Sequence, residues 1–186
     1  MFLFGKNNSS FTKGQMEYKK SVVEEQKRNE EAEKESVAWV ERIKNNPFVD
    51  TIEKLVEESV INNSKSSLLL NVNNPNLVAY IIIESDLVSI SGKPYYYDNY
   101  NLPKLESLGS QLGLAKCIKS RIESGLEAKR IESKIGIEGY SCSLMPHKYT
   151  PHVSIHNDDI PIPRTTGYII YVNKRRISNN NVTGNW

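Results

Sequence analysis

Histidine, cysteine, tyrosine and clustered basic side chains are the groups in this chain that could do chemistry, and their spacing limits what that chemistry is. His152, Ser154, His156 and Asp158 alternate, so a regular strand would put all four on one face. Imidazoles titrate near neutral pH and ligate metal ions. The same alternation opposes a shared ion. Four residues at a rise of roughly 3.3 Å separate His152 from His156 by roughly 13 Å, whereas zinc holds each ligand within about 2.3 Å. No metal site is expected. Cys117 and Cys142 form no Cys-x-x-Cys and read as reduced thiols, with Cys142 in the core. Either would be a nucleophile only with a base such as His152 beside it. Ser91-Gly92-Lys93 lacks the upstream glycine and the spacing of a phosphate-binding loop, so no nucleotide cofactor is expected.

Two groups would bind rather than react. Tyr95, Tyr96, Tyr97 and Tyr100, with Lys93 and Lys104 nearby, could stack bases beside phosphates or bury ring area against a protein. Lys174, Arg175 and Arg176 follow Asp159, the last acid in the chain, and could meet an anionic partner such as nucleic acid. Pro151-His152-Val153-Ser154-Ile155-His156 resembles one half-site of the two-histidine phosphoesterases, which carry His-x-Thr/Ser on a strand between apolar residues. The resemblance implies a hydrolase in which His152 is an acid or base and the Ser154 hydroxyl holds the phosphate. It spans six residues of 186. Such enzymes face two half-sites across a cleft, and no histidine occurs in residues 1–146 to supply the second.

Positioning these groups falls to a helix and a sheet. Leu105, Leu108, Leu112, Ala115, Ile118, Ile122 and Leu126 recur every three or four residues, the stripe of a helix over 102–134 that Pro103 opens. Gly109 and Gly113 share one face of it and would allow close approach of a neighbour. Strand-like runs precede it (68–72, 77–83, 87–90) and follow it (135–145, 152–155, 168–172). The runs 77–83 and 168–172 are apolar at every or nearly every position, as in central strands covered on both faces. An α+β domain with a long helix packed on a mostly antiparallel sheet of about six strands is expected. The stretch 15–44 is one charged helix without Gly or Pro, supported by pairs such as Glu24 with Arg28 and Glu30 with Lys34. Asn46 and Pro47 should cap and open the next helix. The expected division is a flexible start (1–13), a charged helical arm (14–46), the α+β domain (47–177) and a loose tail (178–186). Val37, Trp39, Val40 and Ile43 should anchor the arm, Val22 and Val23 should reach a neighbour, and deleting the arm should take little from the core.

Composition narrows the function. The chain is 38% hydrophobic with a net charge of +2, too balanced to announce a nucleic-acid binder. The apolar start at Met1 to Phe4 is far shorter than a signal-peptide core, and no apolar run approaches the roughly 20 residues of a membrane span. A cytoplasmic or virion-associated protein is expected. The leading expectation is a non-enzymatic interaction or assembly subunit, with a protein partner or a second copy, contacting it through the arm, Trp39 and the tyrosine loop. An Asn-rich, motif-poor chain suits a phage or other mobile-element structural protein. The alternatives are a nucleic-acid-binding protein using Lys174, Arg175, Arg176 and the tyrosines, and a phosphoesterase-like hydrolase centred on His152 and Ser154. No cofactor is expected in any of them.

Overall fold

Asn46 and Pro47 make the first sharp decision along the chain. Helix α1 (Lys13–Ile43) ends just before them and α2 (Pro47–Lys65) begins at the proline. The Asn46 side-chain oxygen accepts the Phe48 N–H at 2.9 Å, an N-cap for a helix whose first residue has no N–H to satisfy. The computed structural model describes residues 13–65, 76–133, 138–150 and 163–176. Next come β1 (Leu77–Ile83), β2 (Leu87–Ile90) and β3 (Lys93–Tyr96), then a 3₁₀ turn (Tyr97–Tyr100), α3 (Leu108–Ser133), β4 (Glu138–Tyr149) and β5 (Arg164–Arg176).

The five strands form one antiparallel sheet in the order β3-β2-β1-β5-β4. The architecture is the expected α+β layout with five strands rather than about six. The expected runs 68–72 and 152–155 lie outside the described residues, and β3 was not anticipated because Pro94 reads as a turn. Pro94 is tolerated there because β3 is an edge strand, where a missing N–H can face away from the ladder.

α3 touches β4, β5 and β1, α2 touches β1 and β2, and the two helices touch each other, so both lie on one face of the sheet. That face carries Ala79, Ile81, Ile83, Val88, Ile90, Tyr168, Ile170 and Val172, all buried. α3 starts at Leu108 rather than at 102. Pro103 disfavours helix at Leu102, and Ser107 and Ser110 cap each other: Ser110 N–H donates to Ser107 Oγ at 3.0 Å and Ser107 N–H to Ser110 Oγ at 3.2 Å. Leu102 and Leu105 are still buried, in the connection rather than the helix. Residues 109–115 are buried on every side of α3, because α1 crosses the face turned away from the sheet.

The crossing is made by glycine. A Cβ on Gly113 would sit 2.5 Å from the Trp39 Cβ and 3.2 Å from the Ser36 carbonyl oxygen, both on α1. Lys116 reaches back to Glu33 and to the Ser36 hydroxyl. Arg121 donates to the Lys44 carbonyl at 3.2 Å, satisfying an open carbonyl at the end of α1. Further up, Glu25 accepts the Thr165 N–H at 2.8 Å and pairs with Arg28 at 3.1 Å. Arg28 therefore turns to Glu25 rather than to the expected Glu24. Ala32 and Ile43 belong to the same buried cluster as the sheet, so the core crosses the junction at residue 46. Trp39 and Val40 pack against that cluster as expected, whereas Val37 is 64% exposed. At 100° per residue Val37 points away from the line of Ala32, Ser36 and Ile43.

Two tests follow from this packing. Gly113→Ala should destabilise the fold by about 1–3 kcal/mol, because the clash is with backbone and a Cβ and exceeds the about 1 kcal/mol that alanine gains over glycine in a helix. Gly125→Ala should be neutral or stabilising by up to about 1 kcal/mol, since its Cβ would meet only the carboxylate ends of Glu53 and Glu57, which can swing aside. Thermal melts of the two variants compare them directly.

Glu25 gives a pH test. Burial alone would raise its carboxyl, but the hydrogen bond from the Thr165 N–H and the charges of Arg28 and Lys148 outweigh this and hold it below the ordinary range. Its contribution is therefore present above the unfolded carboxylate range and lost as pH falls through the lowered folded value. Glu25→Ala should cost about 1–3 kcal/mol at neutral pH. In denaturant titrations the gap between the two proteins should close in acid.

Candidate interaction surface

The tyrosine cluster divides between core and surface. Tyr97 is 1% exposed, its ring edge-on to Phe48 at 5.2 Å. Its hydroxyl donates to the carbonyls of Glu84 at 2.7 Å and Leu87 at 3.1 Å, pinning the β1–β2 turn. Burial, with Asp86 and Glu84 nearby, pushes the phenol well above its ordinary range. Tyr100 leans on Phe48 at 5.0 Å, and Tyr95 is half-buried against the same core. Only Tyr96 of the four is exposed, at 52%.

The other expected contact residues are scattered. Trp39 is half-buried on α1, where its indole N–H donates to Glu35 at 3.1 Å and the Arg42 guanidinium lies 4.8 Å over its ring. Lys174 is half-buried and its N–H donates to the Asn76 carbonyl at 2.8 Å. Arg175 and Arg176 close β5; their side chains lie outside the described residues, as do His152, Ser154, His156 and Asp158. Cys117 is buried and Cys142 half-buried. Burial raises both thiols, Cys142 to about 12, so both are protonated near neutral pH. Among the described residues no group of His, Cys, Asp and Glu could hold a metal ion. A polar groove of about 480 Å³ lies between α1, the start of α3 and β5, lined by Arg28, Glu35, Ser107 and Gln111 among others. Glu35 already accepts the Ser107 hydroxyl there at 2.6 Å.

A different surface stands out on the far side of the sheet. Its residues are Tyr80 and Ile82 of β1, Leu87 and Ser89 of β2, and Pro94 and Tyr96 of β3. Ile169, Tyr171 and Asn173 of β5 and Ser141, Ser143 and Met145 of β4 complete it. None of these twelve is charged, and the same ladder runs on to Tyr149 opposite Arg164 at one end and Gly139 opposite Arg175 at the other. Cross-strand register sets Ser89, Ile82, Ile169 and Met145 in one row and Tyr80, Tyr171 and Ser143 in the next. Met145 is 52% exposed, Ile82, Tyr80 and Tyr171 are half-buried, and Ile169 is 8% exposed. Among the described residues no helix covers this face. The sequence did carry its signal, for 77–83 and 168–172 are apolar on both sides, but the signal says that two faces are covered and not by what.

α1 offers a second exposed line. Met16, Val23 and Val37 are 61%, 63% and 64% exposed and share one side of the helix. Glu30 interrupts that line at the same seven-residue spacing, and Lys20 and Lys27 beside it pair with Glu24 and Glu31. No family model, curated protein or solved structure matches the chain. No helix among the described residues is long and apolar enough to cross a membrane.

The split in the tyrosine cluster is testable by stability alone. Tyr97→Phe should cost about 1–3 kcal/mol, because two carbonyls lose a buried donor. Tyr96→Ala should change stability by no more than about 0.5 kcal/mol. Equal effects in chemical denaturation would contradict the assignment.

Proposed function

We propose that this chain is a non-enzymatic interaction or assembly subunit that docks through the uncharged middle of the outer face of its sheet. One observation carries the reading: β1 and the middle of β5 (168–172) are apolar on both sides, and the described helices cover only one. Apolar burial is worth roughly 25 cal/mol per Å², and soluble monomers rarely leave large contiguous apolar patches to water. Tyr96, the exposed member of the tyrosine cluster, lies at one margin of the face and Met145 at the other. The exposed line on α1 is a weaker candidate, because Glu30 and its charged neighbours would have to be desolvated with it.

Capture experiments from the native source test this, with the wild-type chain and Tyr171→Glu as baits and an untagged copy of the chain present. The wild type should retain a protein, the untagged copy included, that the variant loses. Identical captures by both baits, or none by the wild type, would contradict the proposal.

A further inference from the structure

We infer that the polar groove between α1, the start of α3 and β5 binds a small organic cation of the guanidinium class. This site is separate from the outer face of the sheet and does not depend on that face being a docking surface.

Orphaned acceptors are the first reason. Gln111 lines the groove and is only 4% exposed. Its Nε2 donates to the Leu105 carbonyl at 3.0 Å, which fixes the two ends of the amide. Oε1 is thereby turned toward β5, 3.6 Å from where a Cβ on Gly167 would stand, and has no hydrogen-bond partner among the described residues. Thr165, 2% exposed on the β5 side of the groove, leaves its hydroxyl oxygen without a partner as well. Buried acceptors left open are costly, and a ligand with N–H groups would supply the missing donors.

Charge is the second reason. Glu31, Glu35 and Glu106 line the groove against a single cation, Arg28. Arg28 pairs with Glu25 at 3.1 Å, so its charge is answered outside the lining. The N-terminus of α3 would otherwise favour an anion, but Glu35 already meets it, accepting the Ser107 hydroxyl at 2.6 Å and lying against Gly109. Glu31 has Lys27 at 3.9 Å with both side chains largely in water, a loose pair. Glu106 is exposed at the rim. A cation is therefore the ligand that the lining calls for, and no group of His, Cys, Asp and Glu among the described residues could hold a metal ion.

A groove of about 480 Å³ has the size of a small-molecule site. Guanidinium answers it best. Its flat fork of five N–H donors can meet rim carboxylates and a deep amide oxygen at once, and it is more weakly hydrated than an ammonium.

Calorimetric titration of the full chain with butylguanidinium tests this, with butylurea as the uncharged isostere. One saturable site per chain is expected, with butylurea about tenfold weaker or worse, since charge-assisted hydrogen bonds are the stronger kind. In nitrogen-edited NMR spectra the Gln111 side-chain amide and the Thr165 N–H should shift with butylguanidinium. Replacing two exposed rim residues together, Glu31→Gln with Glu106→Gln, should weaken binding about tenfold or more while circular dichroism shows the variant folded. Glu30→Gln, on α1 outside the groove, should bind as the wild type does. Binding that does not saturate, equal affinity for butylurea, or shifts confined to residues away from the groove would overturn the inference. So would an affinity that the rim substitutions leave unchanged, or that Glu30→Gln lowers as much.

Discussion

The close crossing of α1 over α3 at Gly113 is the constraint on which the helical layer depends. A helix buried all round over 109–115 needs a neighbour on its outer side as well as the sheet beneath it. α1 supplies that neighbour, and it can come near enough because no Cβ projects from Gly113 toward Trp39. Once the two backbones approach, the polar ties become short: Lys116 to Glu33 and Ser36, and Arg121 to the carboxyl end of α1. Ser36 is fully buried at the crossing, where its hydroxyl donates to the Glu33 carbonyl and accepts from Lys116. The charged outer side of α1 stays in water, where its ion pairs contribute little.

Stacking α1, α3 and the sheet in that order has a consequence for the other side. The described helices are all committed to one face, so among the described residues no helix covers the second apolar side of β1 and of the middle of β5. Tyr97 strengthens the same asymmetry. A loop rich in rings suggests a sticky tip, but its most central ring is spent on Phe48 and on two carbonyls at the β1–β2 turn. Tyr96 is the member of the cluster left exposed.

Much of the fold was legible in the sequence where one local signal ruled. β1 and β2 begin and end where the apolar runs do, and Asn46-Pro47 caps and starts α2. Legibility failed where tertiary context won. Leu105 fits the helical stripe yet sits in a connection, because Pro103 and the Ser107–Ser110 caps delay α3. Val37 looks like an anchor by composition and is turned to solvent by helical phase. The expected separability of the arm rests on its polar middle, and Ala32, Ser36 and Glu25 touch the rest of the fold with small or paired groups that hydrophobic counting passes over. The candidate surface was legible only in half. An unbroken apolar run marks two-sided burial, whereas the partner that completes it leaves no local pattern in the chain.

Spin labelling at Ser141→Cys examines that face most directly. Cys117 and Cys142 compete poorly for the reagent near neutral pH, being buried or half-buried with raised thiol values. A face packed against its docking partner should give an immobilised nitroxide. A sharp, freely tumbling spectrum with the captured partner present and the protein fully folded would contradict the account.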